Sequence, residues 1–549
     1  MGIITFLGFT LLVAIIAYIA TLKTDESSSD GYFLGGRSLT GPVIAGSLLL
    51  TNLSTEQIVG MNGVSFSDGL PIIAYEVFAA LAIVFTAFVL LPRYLKGGIA
   101  TIPQFLEKRY GKLTKTMVSI LFLLGYAISM LPTVLYSGAL AINTMFEIPE
   151  SLGQSPETTL WITVWAIGLI GGIYAIFGGL KAVAVSDSIN AVGLLIGGTL
   201  IPVFGLMFIG DGNMFDGLET LTTQLPEKFD IIGGDESAVP FGTLFTGMLI
   251  VNFYYWGTNQ AIIQRALGAK NLKEGQKGLC IAAFVKILGP IIVALPGIIA
   301  YQIFNGDLAN PDEAYPMLVK KVLPPAFVGF FAAVLFGAIL SSFNSALNSS
   351  VTLFGLDLYK EYFNKDASEK QTVVAGKTFG IVLAIFSMAI APLLYGVEGG
   401  IFTYLQELNG SYSVPILAII LVGYASKRVS GKAANIAIVF GVVTYLVTLY
   451  VIQPLFVQGA LDTAMAEGIT DAGELAVIKA AAFPSFLHLM GIIFVLILII
   501  LFTVSKFYPR ETDYLTEYTK QVNITPWRYL KPAGAFIVMM VLSLYIWLS

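Results

Sequence analysis

The stretch Thr51–Gln57, with the sequence TNLSTEQ, interrupts a run of apolar residues that extends over positions 41–60. Six of its seven side chains can form hydrogen bonds, and a glycine-rich segment, GMNG, follows at positions 60–63. Polar groups are costly in the hydrocarbon layer of a membrane, so a plain lipid-facing helix does not carry such a stretch. The pattern predicts that the helix is unwound here and that its freed backbone groups face a cavity. A polar seam between two packed helices is the alternative.

A matching interruption, Asn252–Gln260 with the sequence NFYYWGTNQ, lies inside the apolar run at 241–264. This run is the fifth after the first interrupted run, and an odd offset means that the two helices cross the membrane in opposite directions. Two disrupted helices that each lead a five-helix unit are typical of an inverted repeat. The two halves share no evident sequence identity, so this prediction depends on topology alone. The predicted organisation is one transmembrane domain over 1–549, with repeats at 41–210 and 241–424 and flanking helices at 1–40 and 432–549.

The composition of the whole chain agrees with a membrane protein. Of its 549 residues, 56% are hydrophobic and only 12% are charged, and the mean hydropathy is +0.81. Soluble domains carry roughly 25% charged residues, so the composition excludes a soluble enzyme and a disordered protein. The net charge of −5 leaves no basic surface for nucleic acid. With one cysteine, Cys280, and one histidine, His488, the sequence predicts neither a disulfide framework nor a multi-histidine metal centre.

Apolar runs long enough to cross a bilayer as helices number about fourteen, since each crossing needs about 20 residues. They lie near 3–21, 41–60, 70–92, 116–146, 158–177, 187–210, 241–264, 278–303, 325–358, 374–396, 400–424, 432–453, 483–505 and 533–548. The runs are apolar on all faces rather than alternating, which disfavours a β-barrel. We therefore predict an all-α polytopic membrane protein.

Basic residues predict the orientation, because cytoplasmic loops carry an excess of lysine and arginine. With both termini outside, the inner loops and adjoining helix ends hold 25 of the 30 basic residues, and the outer loops hold four. The outer four are Lys228, Lys320, Lys321 and Lys479, and the remaining one, Lys286, lies within a span. This alternation predicts a multi-pass protein of the plasma (inner) membrane with both termini outside.

Charged residues inside the apolar runs are candidates for function. Glu76 in the third run and Lys286 in the eighth carry opposite charges at membrane depth. They are predicted to pair with each other or to hydrogen-bond a polar ligand, and the two interpretations are compatible. Gln406 and Glu407 lie in the eleventh run, and Asp187 begins the sixth. Because Glu407 and Asp187 are close to span ends, contact with water is the simpler expectation for both.

Two adjacent hydroxyl groups, those of Ser341 and Ser342, lie within the ninth run. They either bond back to carbonyl groups one turn earlier or join freed carbonyl groups of a broken neighbour in a cluster of neutral oxygens. With few carboxylates nearby, such a cluster suits a monovalent cation better than calcium. The sequence has no phosphate-binding loop and no nucleophile–base pair, which argues against ATP as the energy source and against an enzyme.

Several long motifs in a fixed order resemble the sodium/solute symporter family, and specifically its sodium/sugar branch. They are Asn52–Gln57 with Gly60 and Met61, Tyr75 with Glu76, Tyr174–Ala182, Tyr254–Gly257, Asn259 with Gln260, Ile262–Arg265, Gln276–Gly278 and Asp357–Tyr362. The resemblance implies the LeuT-like fold, an inverted five-plus-five helix bundle with flanking helices. It also implies sodium as the coupling ion.

The resemblance further implies roles for individual residues. Sugar hydroxyl groups would be held by Gln57, Glu76, Asn252, Lys286 and Gln406, with Tyr255 stacked under the ring and closing the inner side. Met61, Tyr75 and Phe402 would form the outer gate. Sodium would be bound by Leu50, Leu53, Ala338, Ser341 and Ser342, and a possible second sodium by Asp187, Ser341, Asn344 and Ser345.

These observations together predict a sodium-coupled symporter that imports a neutral sugar, a hexose such as galactose or glucose, by alternating access. Amide groups and one aromatic face suit a polyol, whereas a carboxylated substrate would favour an arginine fork. Every arginine is expected outside the spans or at their ends. The alternatives are a sodium symporter for myo-inositol, a nucleoside or sialic acid, and, from other classes, a channel or a sensor. The expected partners are the sugar, sodium and the lipid bilayer, without nucleic acid; the oligomeric state is not indicated.

Overall fold

The computed structural model of the chain describes residues 2–21, 29–397 and 399–548. These residues form helices and connecting segments without any β-strand, so the predicted all-α class is confirmed. The predicted flanking segment 1–40 includes residues 22–28, which lie outside the described residues.

The described part of the chain contains twenty-six α-helices. The helices before the second interruption are α1 (Gly2–Thr21), α2 (Ser29–Leu34), α3 (Gly41–Asn52), α4 (Thr55–Asp68), α5 (Ala74–Phe85), α6 (Leu91–Gly97), α7 (Ile102–Tyr110), α8 (Lys112–Gly125), α9 (Leu131–Phe146), α10 (Ile148–Leu152), α11 (Pro156–Ile209) and α12 (Met214–Gln224). Short π-helical turns continue α5 into α6 and α8 into α9.

The second half begins with α13 (Gly247–Gly257), α14 (Gln260–Leu267), α15 (Leu272–Lys286), α16 (Pro290–Val293), α17 (Leu295–Phe304), α18 (Ala314–Val322), α19 (Pro325–Thr352), α20 (Glu369–Ile390) and α21 (Gly400–Ala425). A π-helical segment, Leu353–Phe363, extends α19. The last helices are α22 (Gly431–Val447), α23 (Gln453–Ala466), α24 (Ala472–Ala481), α25 (Phe486–Phe507) and α26 (Leu530–Leu548).

Nine helical stretches of the described chain are long and apolar enough to cross a membrane. A tenth span is formed if α15 and the pair α16–α17 count as one, with a bend of 50° between them. The length criterion misses the runs at 41–60 and 241–264, because each is divided into two short helices. The predicted total of about fourteen spans stays a prediction.

Helix α11 is one continuous helical element of 54 residues, although two spans were predicted at 158–177 and 187–210. Leu160, near its start, lines the same cavity as Lys320 and Lys321. Near its end, the Phe208 ring lies 5.5 Å from the Lys321 ammonium group. A straight helix of this length would separate its ends by about 80 Å. The element therefore doubles back on itself, and the two predicted spans are its two limbs.

Contacts between loops agree with the two faces that the charge pattern predicts. The chain between α25 and α26, residues 508–529, lies across the predicted inner face and is called the strap below; its Thr519 amide donates to the Lys96 carbonyl group at 3.1 Å. On the other face Lys320 and Glu147, from two loops predicted to be outside, form an ion pair. The predicted alternation of the spans agrees with these contacts, while the assignment of one face to the inside stays a prediction.

Candidate functional site at the two broken helices

The first predicted interruption is a break between α3 and α4. Leu53 (ψ 55°) and Ser54 (φ −89°, ψ −179°) leave the helical conformation, and a new helix begins at Thr55. Asparagine, serine and threonine side chains compete with the backbone for hydrogen bonds, so their concentration here favours the end of one helix and the start of another. The break leaves the last carbonyl groups of α3 without partners inside the helix.

The second interruption is a break between α13 and α14. Asn259 caps α14, since its Oδ1 atom accepts a hydrogen bond of 2.9 Å from the Ala261 amide. The Tyr126 hydroxyl donates to the same Oδ1 atom at 2.9 Å and fixes its position. Gly257 ends α13, and Thr258 (φ −133°, ψ −15°) lies between the two halves. Both predicted interruptions are therefore broken helices rather than polar seams.

A group of oxygens surrounds the free end of α3. The Ser342 hydroxyl on α19 donates to the Thr51 carbonyl at 2.8 Å, and the Ser341 hydroxyl lies 3.4 Å from the Thr51 hydroxyl. The carbonyl groups of Leu50 and Leu53 are within the same helix end, on either side of Thr51. The two predicted serine ligands on α19 thus contact the end of α3 that carries the predicted carbonyl ligands.

The chemistry of this group fits a monovalent cation. Its donors are neutral carbonyl and hydroxyl oxygens, and Ala338, whose carbonyl group was predicted as a further ligand, is fully buried one turn earlier on α19. No group of three or more histidine, cysteine or acidic side chains arranged to hold a metal ion occurs in the part of the chain that the structure describes. Hard oxygen ligands without a cluster of carboxylates suit sodium better than a divalent ion. The five-ligand set stays a prediction.

Asp187 is buried, with 1% of its surface exposed, so the expectation that it contacts water is wrong. The second limb of α11 packs against α3, and this contact covers the carboxylate. Ser47 on α3 donates to Asp187 Oδ2 at 2.6 Å and accepts from Arg265 Nε at 3.2 Å. Arg265 also donates to the Ser345 hydroxyl. A chain of hydrogen bonds therefore connects a buried carboxylate to a buried guanidinium.

Three of the four residues predicted for a second sodium belong to this cluster. Asp187 hydrogen-bonds Ser341, and Ser345 contacts the Thr51 hydroxyl at 3.2 Å. The side-chain amide of Asn344 has no hydrogen-bond partner among the described residues. Arg265 adds a positive charge to this cluster. The sequence predicts this residue at the basic end of a span, so its burial was not expected. Nothing in the sequence around position 265 distinguishes a buried arginine from an exposed one.

Glu76 and Lys286 form a direct ion pair, as one of the two compatible interpretations predicts. Lys286 also donates to the side-chain oxygen of Asn52, and Gln57 Nε2 donates to the other Glu76 carboxylate oxygen at 2.9 Å. Both charged side chains are at most 1% exposed. The pair is thus connected on both sides to the broken first helix.

A kink brings Lys286 to this position. Pro290 cannot continue the helical hydrogen bonds of α15, and the chain bends by 50° between α15 and α16. A Cβ atom on Gly289 would lie 2.2 Å from Glu76 Oε2. Glycine is therefore needed at this point for the carboxylate to reach the lysine.

A small cavity of about 40 Å³ lies between the two breaks. It is lined by Asn52, Glu56, Gln57, Tyr75, Met130, Val251, Asn252, Tyr255, Trp256, Asn259, Phe402, Leu405, Gln406, Asn409 and Tyr412. About 10–15 Å³ of space open to the centre of a water molecule is enough for one water, so this cavity has room for a few waters and not for a hexose.

The predicted sugar-binding residues divide into two groups around the cavity. Gln57, Asn252, Tyr255 and Gln406 line it directly. Glu76 and Lys286 lie behind them and reach the cavity through Gln57 and Asn52. Their predicted roles remain to be tested, but the structure brings all six together.

Two of the residues predicted as the outer gate, Tyr75 and Phe402, line this cavity. The rings of Tyr75 and Phe402 are 4.9 Å apart and meet edge to face. The Sδ atom of Met61 accepts a hydrogen bond of 2.9 Å from Gln57. Gly60 allows α21 to approach, since a Cβ atom there would lie 2.7 Å from the Phe402 Cβ atom. These contacts bring the three residues together beside the cavity, and their role as an outer gate stays a prediction.

The structure adds cavity residues that the sequence analysis did not assign to the ligand. Asn52 and Glu56 lie in the polar stretch that marked the first break, so a signal for them was present. The Oε2 atom of Glu56 is buried without a hydrogen-bond partner among the described residues. Trp256 and Asn259 come from the second polar stretch, and the Lys286 ammonium group lies 5.6 Å from the Trp256 ring centre.

Comparison with known proteins gives consistent results. The model of the Sodium:solute symporter family matches residues 32–441. The chain is 42% identical over 543 residues to the uncharacterized symporter YidK of Escherichia coli, covering 99% of this chain and 90% of that protein. It is 36% identical to a sodium/glucose cotransporter of Vibrio parahaemolyticus, covering 80% and 84% of the two chains. It is 29% identical to the human sodium/myo-inositol cotransporter 2, covering 83% and 70%.

Among solved structures, a Na⁺-coupled sialic acid symporter in a substrate-bound, outward-open state has a similar fold. The TM-score is 0.69 at 20% sequence identity, and the match covers 90% of this chain and 98% of that one. This similarity shows the fold, and it agrees with the predicted helix bundle.

Proposed function

Because the chain belongs to the sodium:solute symporter family, whose members are membrane transporters and not enzymes, we propose that it imports a neutral hexose together with sodium. Membership of the family makes it a multi-pass transporter that couples a solute to sodium. The choice of a sugar, its uptake across the plasma membrane and the roles of individual residues are our proposal. So is the orientation with both termini outside.

The observation that carries the sugar proposal is the direct pairing of Glu76 with Lys286. Because this lysine is bound to a carboxylate, the described residues that line the cavity include no cation that would recognise a carboxylated substrate. Glu56 contributes an unpartnered carboxylate oxygen, which further disfavours an anion. Such a wall suits a neutral molecule rich in hydroxyl groups.

The amide groups and ring around the cavity supply what a hexose needs. Gln57, Asn252 and Gln406 provide donors and acceptors for hydroxyl groups, and Tyr255 presents an aromatic ring to the apolar C–H face of a sugar. Asn52, which accepts a hydrogen bond from Lys286, lines the same cavity as Tyr255. The ion pair is therefore connected through Asn52 to the wall that carries the ring.

Coupling follows from the break between α3 and α4, which the two ligands share. Its α3 side provides carbonyl oxygens to the proposed sodium position, and its α4 side provides Gln57 and Glu56 to the cavity. A sodium ion that bridges α3 and α19 would fix the break in one geometry and so raise the affinity for sugar. The effect must be reciprocal, because coupling is a property of the pair of sites. At 100 mV each sodium adds about 2.3 kcal/mol to the driving force, which corresponds to roughly fiftyfold accumulation.

Alternating access requires the cavity to open on each side in turn. The Tyr75 and Phe402 rings, which touch edge to face, are the proposed barrier on the outer side, and a cavity of about 40 Å³ is too small for a hexose. Sugar entry therefore needs separation of these rings, with movement of α21 relative to α4 and α5. Tyr255 would close the opposite side while the outer side is open.

Uptake into proteoliposomes tests this function. We expect accumulation of radiolabelled galactose or glucose that depends on an inward sodium gradient, with N-acetylneuraminate neither transported nor competing. Myo-inositol, a neutral polyol transported by relatives of lower identity, is the necessary competitor in the same panel. Sugar uptake that ignores the sodium gradient, or sodium-driven uptake of the carboxylated sugar alone, would contradict the proposal.

A further inference from the structure

A second cavity, of about 490 Å³, opens on the predicted inner face far from the broken helices. It lies between the ends of α6 and α21, helix α7 and the strap. Three basic residues and three aromatic rings dominate its lining: Arg93, Lys108, Arg510, Phe105, Tyr424 and Tyr514. We call it the inner basic cavity.

The three basic side chains form no ion pair with the acidic residues that the structure describes. No carboxylate of the described chain lies within ion-pair distance of Arg93, Lys108 or Arg510. Each donates instead to main-chain carbonyl groups, which occupy only part of its N–H groups. The Arg93 and Arg510 guanidinium groups lie over the Tyr424 and Tyr514 rings at 5.6 Å. Cations that are held in place around a cavity and are not engaged in ion pairs can form a site for an anion.

Two acidic residues also line the cavity but do not neutralise it. Asp513 pairs with Arg428 at 2.9 Å, and this hydrogen bond holds the pKa of the Asp513 carboxyl below its usual range. Glu517 is exposed to solvent. The buried Arg109, which bonds three carbonyl groups behind the cavity, adds a further positive charge. The balance around the cavity is positive.

The position of the cavity indicates where the anion comes from. α6 and α21 end spans of the bundle here, and the strap starts where α25 leaves the hydrocarbon layer. Apolar side chains of this region are exposed, with 73% of Phe507, 56% of Tyr508 and 68% of Leu515 accessible. Exposed aromatic and apolar groups at helix ends are typical of the membrane interface. Acyl chains of a bound lipid would lie along this surface.

We propose that the inner basic cavity binds a phosphate-bearing anion, the headgroup of an acidic phospholipid of the inner leaflet, and so holds the strap against α6 and α7. A guanidinium group can donate two parallel hydrogen bonds to two oxygens of one phosphate. Basic pockets between transmembrane helices on the cytoplasmic side bind acidic headgroups. A soluble phosphate ester shares the same chemistry and is the other source. The proposal is independent of which solute the protein transports.

Thermal unfolding of the full chain in nanodiscs tests the proposal. Discs of phosphatidylcholine alone are compared with discs that contain phosphatidylglycerol, and glycerol 1-phosphate is added to the former in a third arm. We expect phosphatidylglycerol to raise the melting temperature of the native protein by about 2–4 °C. The double variant Arg93→Gln/Lys108→Gln should lose this shift. Native mass spectrometry should show about tenfold less retained phosphatidylglycerol on the variant.

The matched control is Lys365→Gln/Lys370→Gln, which removes the same charge from exposed residues of the same face outside the cavity. It should keep both the shift and the retained lipid. A shift produced by glycerol 1-phosphate with the same residue dependence would support the phosphate site and assign it to a soluble ester. Equal losses in both double variants would show diffuse attraction and overturn the proposal, as would no effect of either phosphate compound. All four substituted residues are exposed, so the variants are expected to fold.

Discussion

Two buried pairs of opposite charge flank the broken end of α3, and they are built differently. Glu76 and Lys286 touch directly. Asp187 and Arg265 are joined through the hydroxyl of Ser47, at 2.6 and 3.2 Å. All four charged side chains are at most 1% exposed. We call the first the direct pair and the second the serine-bridged pair.

The difference indicates separate roles for the two pairs. The direct pair neutralises itself and leaves amide groups to face the cavity, which suits a fixed wall for an uncharged ligand. The serine-bridged pair depends on hydroxyl groups, and Arg265 also donates to Ser345, a predicted cation ligand. A cation that arrives at these hydroxyl groups must compete with the guanidinium. The direct pair should therefore control folding and sugar binding, and the serine-bridged pair should control the response to sodium.

The largest expected effect comes from breaking the direct pair. Lys286→Met leaves Glu76 as an uncompensated charge in the bundle, and the free energy of unfolding should fall by about 3–5 kcal/mol. The double variant Glu76→Gln/Lys286→Met should recover most of this stability, because no charge is left unpaired, but not sugar transport. Unfolding in detergent and uptake in proteoliposomes measure the two quantities. If Lys286→Met is as stable as the native protein, the direct pair does not contribute this free energy of unfolding.

The second largest effect on stability is expected at Gly289, which lies close to the Glu76 carboxylate of the direct pair. Gly289→Ala places a methyl group against Glu76 Oε2, where only 2.2 Å is available, so the overpacking should cost about 1–3 kcal/mol of stability. The control is Gly459→Ala in α23, whose added Cβ atom meets nothing within 4 Å and should be neutral or slightly stabilising. Equal effects of the two alanines on the melting temperature would show that the approach of Gly289 to Glu76 is unimportant.

The serine-bridged pair is tested through sodium affinity. Arg265→Gln removes a positive charge next to Ser345 and Asp187, so sodium should bind about fivefold more tightly in the absence of sugar. Arg109→Gln, at an equally buried arginine near the inner basic cavity, should leave sodium affinity unchanged. Sodium titrations followed by tryptophan fluorescence give both values. Weaker sodium binding in the Arg265 variant would mean that the guanidinium supports the cation instead of competing with it.

The smallest effect distinguishes both pairs from a buried carboxylate that lacks a cation. Asp312, in the loop before α18, accepts from the Ile401 amide at 3.1 Å. Burial raises the pKa of Asp312 to about 6, the Ile401 hydrogen bond opposes this, and Glu313 adds to the rise. Asp312 therefore keeps its proton up to about pH 6 in the native protein. In the unfolded chain the same carboxyl loses its proton near its ordinary pKa of 3.8.

It follows that the free energy of unfolding should fall as the pH rises, by about 1 kcal/mol between about pH 5 and pH 6, and level off above this range. Tyr136 and Glu313 are the titratable neighbours of this carboxyl. Asp312→Asn should remove the slope in a series of thermal unfolding measurements, with Asp366→Asn, at an exposed aspartate, as the control. An unchanged slope in the first variant would assign the pH dependence to other groups.

The breaks were predictable because they depend on local residue types. Hydrogen-bonding side chains within apolar runs at Thr51–Gln57 and Asn252–Gln260 are costly in a regular membrane helix whatever its neighbours are. The pairing of Glu76 with Lys286 was predictable for a similar reason, since neither charge is tolerable alone at membrane depth.

The serine-bridged pair was not predictable, because it depends on which helices pack together. Asp187 follows a reversal of α11, and its burial arises from the contact of that limb with α3. Arg265 lies in the last turn of a broken helix. From sequence alone, an arginine at a helix end is expected to be exposed.

We propose that one broken helix couples a sodium ion to a neutral sugar. Equilibrium binding measures this coupling directly, with labelled galactose titrated with and without sodium and sodium titrated with and without galactose. Each ligand should raise the affinity for the other by the same factor, about tenfold. Ser342→Ala removes the hydroxyl that contacts the Thr51 carbonyl and should abolish this factor, whereas Ser350→Ala, a buried serine that bonds only within α19, should preserve it. Sugar binding that is equally tight without sodium in the native protein would contradict the account.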